Sequence, residues 1–255
     1  MSKEFILIAG PMVRASSWQP TAEHLRKLGY SLQVPDILAH HATPPAWSAW
    51  PRLLLDHIAP TDASILVGHS SASALVASLA TKLPVRGIII VDGDIPPDGG
   101  RAWPVRPALH EFVRRIAAAD GILPIWSRWF VQDPQRATLI GLDQLSQNPI
   151  ALAQFEDGLP AMTLSWFEED MDLMPWRHIP VGYLQTSPIY EHASAEALRL
   201  RWPVEKLNGT HLHPTLCPAE TASAHIAIAR QLEPNASRTQ PKAPSRKTNP
   251  DTDRR

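Results

Sequence analysis

Cysteine is nearly absent from this 255-residue chain. Cys217 is the only one, so no internal disulfide can form, and a reducing compartment, the cytoplasm, is the expected location. An excess of charge is missing as well. Lys and Arg total 24 against 25 Asp and Glu, for a net charge of −1, which leaves no basic field for nucleic acid or an anionic membrane. There is no long apolar run. The opening Phe5-Ile6-Leu7-Ile8-Ala9 is too short for the core of a signal peptide and far too short to span a bilayer. Metal-ligand clusters are also lacking: His40-His41 and His211-Leu212-His213 have no carboxylate or thiolate at a ligand spacing. Gly99-Gly100 is an isolated pair and no phosphate loop. What the chain has in abundance is proline, 26 residues, and tryptophan, 9 residues. The first predicts short, sharply ended elements, and the second a large apolar interior or pocket. With a hydrophobic fraction of 44%, the composition is that of one soluble domain with a full-sized core.

The most informative stretch is Ser64 to Val76. Ser64-Ile65-Leu66-Val67 is an apolar strand, Gly68-His69-Ser70-Ser71-Ala72 a turn of small residues, and Ala72, Leu75, Val76 and Leu79 follow at helical spacing. This is the setting of a nucleophile elbow. A sharp turn lifts the Ser70 hydroxyl clear of the backbone, where a base and a substrate can both reach it. Residues 68 and 72 must be small because strand and helix pass close together there. Ala72 stands in the last place of the Gly-X-Ser-X-Gly pattern. The bland alternative for Ser70 is a polar helix N-cap.

Along the chain, Phe5–Ala9 reads as a buried strand and 10–17 as a loop. Trp18, Ala22, Leu25 and Leu28 fall on one helical face that Gly29 ends. Ser31–Val34 is a short strand, Asp36–Pro45 a loop, and Trp50, Leu54 and Ile58 suggest a helix before Pro60. After the elbow helix, Val85–Val91 is a strongly β-branched strand. This alternation implies an α/β fold with a mainly parallel sheet and helices on both faces. Residues 97–178 show helical segments and no good strand, and read as a helical cap inserted into a core formed by 1–96 and 179–233. Pro180–Gln185 and Val204–Leu207 are further strands, and Pro218–Leu232 is a closing helix. The tail, 234–255, has no apolar periodicity and reads as disordered. There is no internal repeat.

A serine needs a general base to act as a nucleophile at neutral pH. Asn208-Gly209-Thr210-His211-Leu212-His213-Pro214 lies between the last strand and the last helix, at the carboxyl edge of the sheet. His211 is therefore the candidate base, with His213 in reserve; either could instead be an ordinary loop histidine.

Four segments now make a likeness plain: Leu7-Ile8-Ala9-Gly10-Pro11-Met12 with Trp18, Gly68-His69-Ser70-Ser71-Ala72, Val91-Asp92-Gly93-Asp94-Ile95-Pro96, and Gly209-Thr210-His211 with Pro218. The chain resembles the α/β-hydrolase family, in particular its small capped esterase and hydroxynitrile-lyase-like branch, over about Phe5 to Leu232. The resemblance implies an α/β-hydrolase fold with an eight-stranded, mostly parallel sheet, a helical cap, and Ser–His–acid catalysis without metal or cofactor. In this family the acid usually follows the strand that here reads Val181–Gln185, but Ser187 or Ile189 stands in its place. Some haloalkane dehalogenases carry it at the end of the preceding strand, four residues before a proline, and Asp92 stands four residues before Pro96. Asp92 is thus the first candidate to orient His211, Asp94 the second and Glu191 the third; a structural strand-end role is the alternative for Asp92. One oxyanion donor should be the Ser71 N–H. The family's other donor falls on Pro11, which has no N–H. Met12 from a shifted loop, or the side chain of Arg14, Ser16 or Ser17, would have to replace it, or the hole is incomplete.

The remaining features read as structural. Glu168-Glu169-Asp170 with Asp172 is expected to be a solvated helix face. Trp126, Trp129, Phe130, Trp166 and Phe167 are expected to be cap core, with one or two lining the pocket, and Cys217 a small buried residue. The expected function is a metal-free serine hydrolase of a small apolar ester or thioester. The alternatives are a lyase or cyclase in which His211 handles protons, and a binding protein with a decayed site. The expected partner is a small-molecule substrate, with no nucleic acid and no membrane; a homodimer is open.

Overall fold

The computed structural model describes residues 4–41 and 43–232; the stretch 234–255, expected to be disordered, lies outside them. The strands in chain order are β1 (Glu4–Ile8), β2 (Ser31–Gln33), β3 (Ser64–His69), β4 (Gly87–Val91), β5 (Gly100–Ala102), β6 (Met171–Leu173), β7 (Val181–Gln185) and β8 (Val204–Lys206). Six of them form one sheet in the order β2-β1-β3-β4-β7-β8, every neighbour parallel. β3 and β4 are buried along their whole length. That is why they read as unbroken apolar runs rather than as alternating ones.

The eight-stranded sheet expected from the resemblance is corrected to six among the described residues. The other two strands, β5 and β6, pair antiparallel with each other outside the sheet. They lie at the two ends of the segment between β4 and β7 and close its base as a ribbon. The expectation of no strand within 97–178 is corrected by the same pair. Three-residue strands carry too little apolar alternation to stand out in sequence.

The helices are α1 (Gln19–Lys27), α2 (Trp50–Leu55), α3 (Ala72–Ala80), α4 (Pro107–Ile116), α5 (Pro134–Ile140), α6 (Leu142–Ser146), α7 (Pro149–Asp157), α8 (Leu164–Phe167), α9 (Glu191–Arg199), α10 (His213–Leu216) and α11 (Pro218–Gln231). Seven of them carry a proline at the first or second position, where its missing N–H costs no hydrogen bond. Leu28, expected on the buried face of α1, lies beyond its last turn and is half exposed. Five helices, α4 to α8, fall between β5 and β6. No helix of the described residues is long and apolar enough to cross a membrane.

Proline and tryptophan work together in this molecule. The indole N–H of Trp166 donates to the carbonyl of Pro45 at 2.8 Å, that of Trp129 to Pro124 at 2.8 Å, and that of Trp176 to Pro97 at 2.8 Å. Trp50 reaches Pro45 as well, at 3.2 Å. Carbonyls in proline-rich loops have no ladder partner, and a buried indole needs an acceptor. Each contact therefore satisfies two groups and ties a loop to the core.

Candidate active site

The chain reverses its winding between β1 and β3: β2 lies on one side of β1, and β3, β4, β7 and β8 follow on the other. In open parallel sheets a crevice forms at the carboxyl ends of the strands beside such a reversal. The loop with Pro11 and Met12 leaves β1 there, and Ser70 follows β3. Asp92 follows β4, Ser187 follows β7, and His211 lies in the loop after β8.

Ser70 has φ +58°, a left-handed conformation that costs a non-glycine residue about 1–3 kcal/mol. Its amide continues the ladder to Val91 O at 2.9 Å, so the backbone turns sharply while still tied to β4. At Gly68 a β-carbon would lie 2.6 Å from Ala72 O and 2.8 Å from Val76 Cγ2, the close strand–helix passage read from the sequence. No side chain caps α3, so the N-cap reading of Ser70 does not hold.

Asp92 is the second left-handed non-glycine residue, at φ +43°. Its carboxylate is fully buried and takes four hydrogen bonds. Oδ1 accepts from Thr186 N and Ser187 N, each at 2.9 Å; Oδ2 accepts from Ser187 Oγ at 2.6 Å and His211 Nδ1 at 2.8 Å. Burial alone would raise its pKa. The His211 hydrogen bond and charge, with Ser187 and Thr186, outweigh burial and hold the carboxyl below its ordinary value. Ser187, at the place where an aspartate was sought, is thus a donor to the aspartate on the neighbouring strand. The other two acids are elsewhere: Asp94 pairs with His192 at 2.7 Å, and Glu191 is exposed beside Lys206 at 3.4 Å.

His211 is held on every side. With Asp92 accepting at Nδ1, Nε2 is the ring nitrogen left to act as a base. One face stacks on Tyr190, centroids 5.5 Å apart, and another contact is His69 at 4.5 Å. Its backbone N–H donates to Leu139 O at the end of α5, at 3.0 Å. His213, the reserve candidate, is buried with Nε2 3.3 Å from Glu220, away from this constellation. Burial and the neighbouring His211 push the His69 pKa down to about 3, so His69 is a neutral packing partner.

Ser70 and His211 line one cavity of about 220 Å³, together with Met12, Trp126, Trp129 and Tyr190. Ser70 also lines an adjoining cavity of about 340 Å³ with Ser71 and Ile95, and Arg106, Leu109 and Tyr190 line both. Neither the Met12 nor the Ser71 amide is engaged in a backbone hydrogen bond among the described residues. The Ser71 hydroxyl is buried without a partner and faces Gly10. The side chains named as substitutes for the missing Pro11 donor are occupied or turned away. Arg14 forks onto Asp36, Ser17 donates to Arg14 O at 2.8 Å, and Ser16 is exposed. Among the described residues no group of three or more His, Cys, Asp or Glu side chains could hold a metal ion.

Two sequence readings change here. The acidic run is no solvated helix face: Glu169 accepts from Trp47 N at 2.5 Å, Asp170 pairs with Arg101, and Asp172 lies on β6. Cys217 is half-buried rather than buried, and burial pushes its thiol pKa up. Tyr190 was missed by sequence reasoning. Its only signal was an aromatic residue in the loop at the carboxyl end of β7. It stacks on His211, and the Ser70 side chain is the polar neighbour of its hydroxyl.

A sequence profile described as the alpha/beta hydrolase family matches residues 5–224. No curated protein matches the chain in sequence. Among solved structures, an extracellular alpha/beta-hydrolase from a Paenibacillus species, reported to share homology with tobacco salicylic acid binding protein 2, superposes with a TM-score of 0.71 at 22% identity, covering 89% of this chain and 99% of that one. A mutant of tomato methylketone synthase I gives 0.71 at 15% identity, over 91% and 100% of the two chains. A mutant of polyneuridine aldehyde esterase gives 0.66 at 12% identity, over 89% and 99%. At these identities the likeness is one of fold.

Proposed function

Because the chain belongs to the alpha/beta hydrolase family, we propose that it is a serine hydrolase acting on a small, largely apolar ester or thioester. Ser70 Oγ attacks the acyl carbon while His211 Nε2 takes its proton. The buried Asp92 carboxylate stabilises the imidazolium so formed. The N–H groups of Ser71 and Met12 receive the oxyanion, each donor being worth about 3 kcal/mol or more. His211 then returns the proton to the leaving group, and water repeats the sequence on the acyl-enzyme. The observation that carries this reading is the 2.8 Å contact between His211 Nδ1 and a carboxylate already fixed by three other donors, with His211 and Ser70 on the wall of one cavity.

A fluorophosphonate probe tests it. The wild type is expected to form a covalent adduct and Ser70→Ala none. A second reading, non-hydrolytic chemistry with His211 as proton carrier, is favoured by Pro11 standing where a backbone donor is usual. A folded wild type that resists the probe yet turns over a substrate in a His211-dependent way would support that reading and overturn the first.

A further inference from the structure

Two arginines in the candidate site are held only by long contacts: Arg106 lies 3.9 Å from Asp94 and 3.5 Å from His192 Nε2, and Arg136 lies 3.7 Å from Asp133. Arg106 and Arg136 both line the cavity that holds Ser70 and His211, and no carboxylate lines it. In each case the acid's shorter hydrogen bond goes to another group than the guanidinium. Asp94 is 3.9 Å from Arg106 but 2.7 Å from His192. Asp133 is 3.7 Å from Arg136 but caps α5 by accepting from the Arg136 amide at 3.0 Å. Arg14 shows the contrast, with its guanidinium forked onto both oxygens of Asp36.

Both guanidiniums also sit over aromatic rings. Arg106 sits 5.5 Å from the centre of the Tyr190 ring, and Arg136 lies 5.7 Å from Phe112 and 6.0 Å from Phe130. A cation–π contact of this kind helps to hold a guanidinium while leaving N–H donors available. Much of the remaining wall is apolar, with Trp126, Trp129, Phe130, Leu139 and Ile140. Both arginines are a third to a half exposed, so they stand at the mouth.

A cavity with an apolar body, two cations at its mouth and no anion is built for an amphipathic anion. We propose that the substrate carries a carboxylate or similar anionic group on its leaving-group side, held by Arg106 and Arg136 at the mouth of this cavity. The side follows from the chemistry: the leaving atom must accept its proton from His211, and His211 lines this cavity and not the second one. The choice of side rests on the hydrolase reading of Ser70 and His211; the preference for an anion does not.

The test is a pair of non-hydrolysable ethers, 4-butoxybenzoate and its neutral carboxamide, titrated against the full chain. Binding is read from the fluorescence of Trp126 and Trp129 and by calorimetry. The benzoate is expected to bind at least tenfold more tightly, with the advantage shrinking as salt rises. In Arg136→Gln and Arg106→Gln that ratio is expected to fall toward one. Arg115→Gln, on the exposed face of α4, should keep it. Equal binding of the two ethers, or a ratio that survives in both cavity variants, would overturn the proposal. Turnover then fixes the side: 4-carboxyphenyl butanoate should be cleaved faster than the mono-phenyl ester of glutarate, and the reverse order would overturn the leaving-group assignment. If the benzoate is preferred but no ester is cleaved, the anion site stands and the hydrolase reading falls.

Discussion

Ser187 shows how one residue can be misread by position and explained by contact. An aspartate is usual on the loop after β7, and here that loop supplies an N–H and a hydroxyl to an aspartate one strand away. The carboxylate stands on one strand and its donor on the next, and the carboxylate lies 2.8 Å from His211 Nδ1. Asp92→Asn is therefore expected to lower kcat/KM on the order of 10⁴-fold, because an amide cannot hold the Nδ1–H tautomer. Ser187→Ala removes one donor to an ion and is expected to cost about 1.5–3 kcal/mol of stability, with kcat falling about tenfold and KM little changed. Steady-state kinetics beside urea unfolding check both. An Asp92→Asn enzyme with near wild-type kcat would remove this carboxylate from the mechanism. Of these residues, Ser70 and His211 were legible from motif and chain order. Asp92 was legible only from its distance to Pro96, and Tyr190 and the two arginines were not legible, because their roles depend on where helices from distant segments place them.

At the scale of elements, the helices between β5 and β6 do more than cover the sheet. The carbonyls of Leu139 and Ile140 at the end of α5 accept from the amides of His211 and Leu212, at 3.0 and 2.8 Å. Gly141, at φ +97°, turns the chain from α5 into α6, and a β-carbon there would meet Thr210 Oγ1 at 2.5 Å. Gly141→Ala combines left-handed strain with a clash beside His211. It is expected to destabilise the protein by about 1–3 kcal/mol and to depress kcat along with stability. Urea unfolding and kinetics on the same samples would show this, and an unchanged kcat would mean that the loop with His211 does not feel α5. The parallel strands β1, β3, β4 and β7 and the helix α3 were plain in the sequence because burial on both faces writes an apolar run. The β5–β6 ribbon was hidden because its pairing is a contact between residues some 70 positions apart, as in Ala102 against Met171.

Across the whole molecule, two histidines set the acid limit of stability. His69 and His225 are buried, and burial lowers each pKa from 6.5 to about 3. Between those values the unfolded chain binds a proton at each site and the folded one does not, so stability falls as pH drops through 6.5 and goes on falling to about 3. At pH 5 the loss is about 2 kcal/mol per histidine relative to neutral pH. Asp92, whose carboxyl is held low, contributes stability that is lost as pH falls through the ordinary carboxylate range toward its lower folded value, so it adds little to the decline above pH 5. Urea midpoints at pH 7.5 and 5.0 should show the decline, and His225→Leu should remove about half of it. A midpoint independent of pH over that interval would mean that these rings take up protons in the native state.

The indole-to-proline contacts have a consequence for how this chain can change over time. What each tryptophan grips is a main-chain oxygen, which every amino acid possesses. The residues at 45, 97 and 124 are therefore free to vary in kind, provided the oxygen stays where it is. One inserted residue would move that oxygen by about 3.5 Å, beyond the indole's reach. These stretches are thus open to replacement and closed to lengthening, the reverse of the latitude usually granted to surface connections.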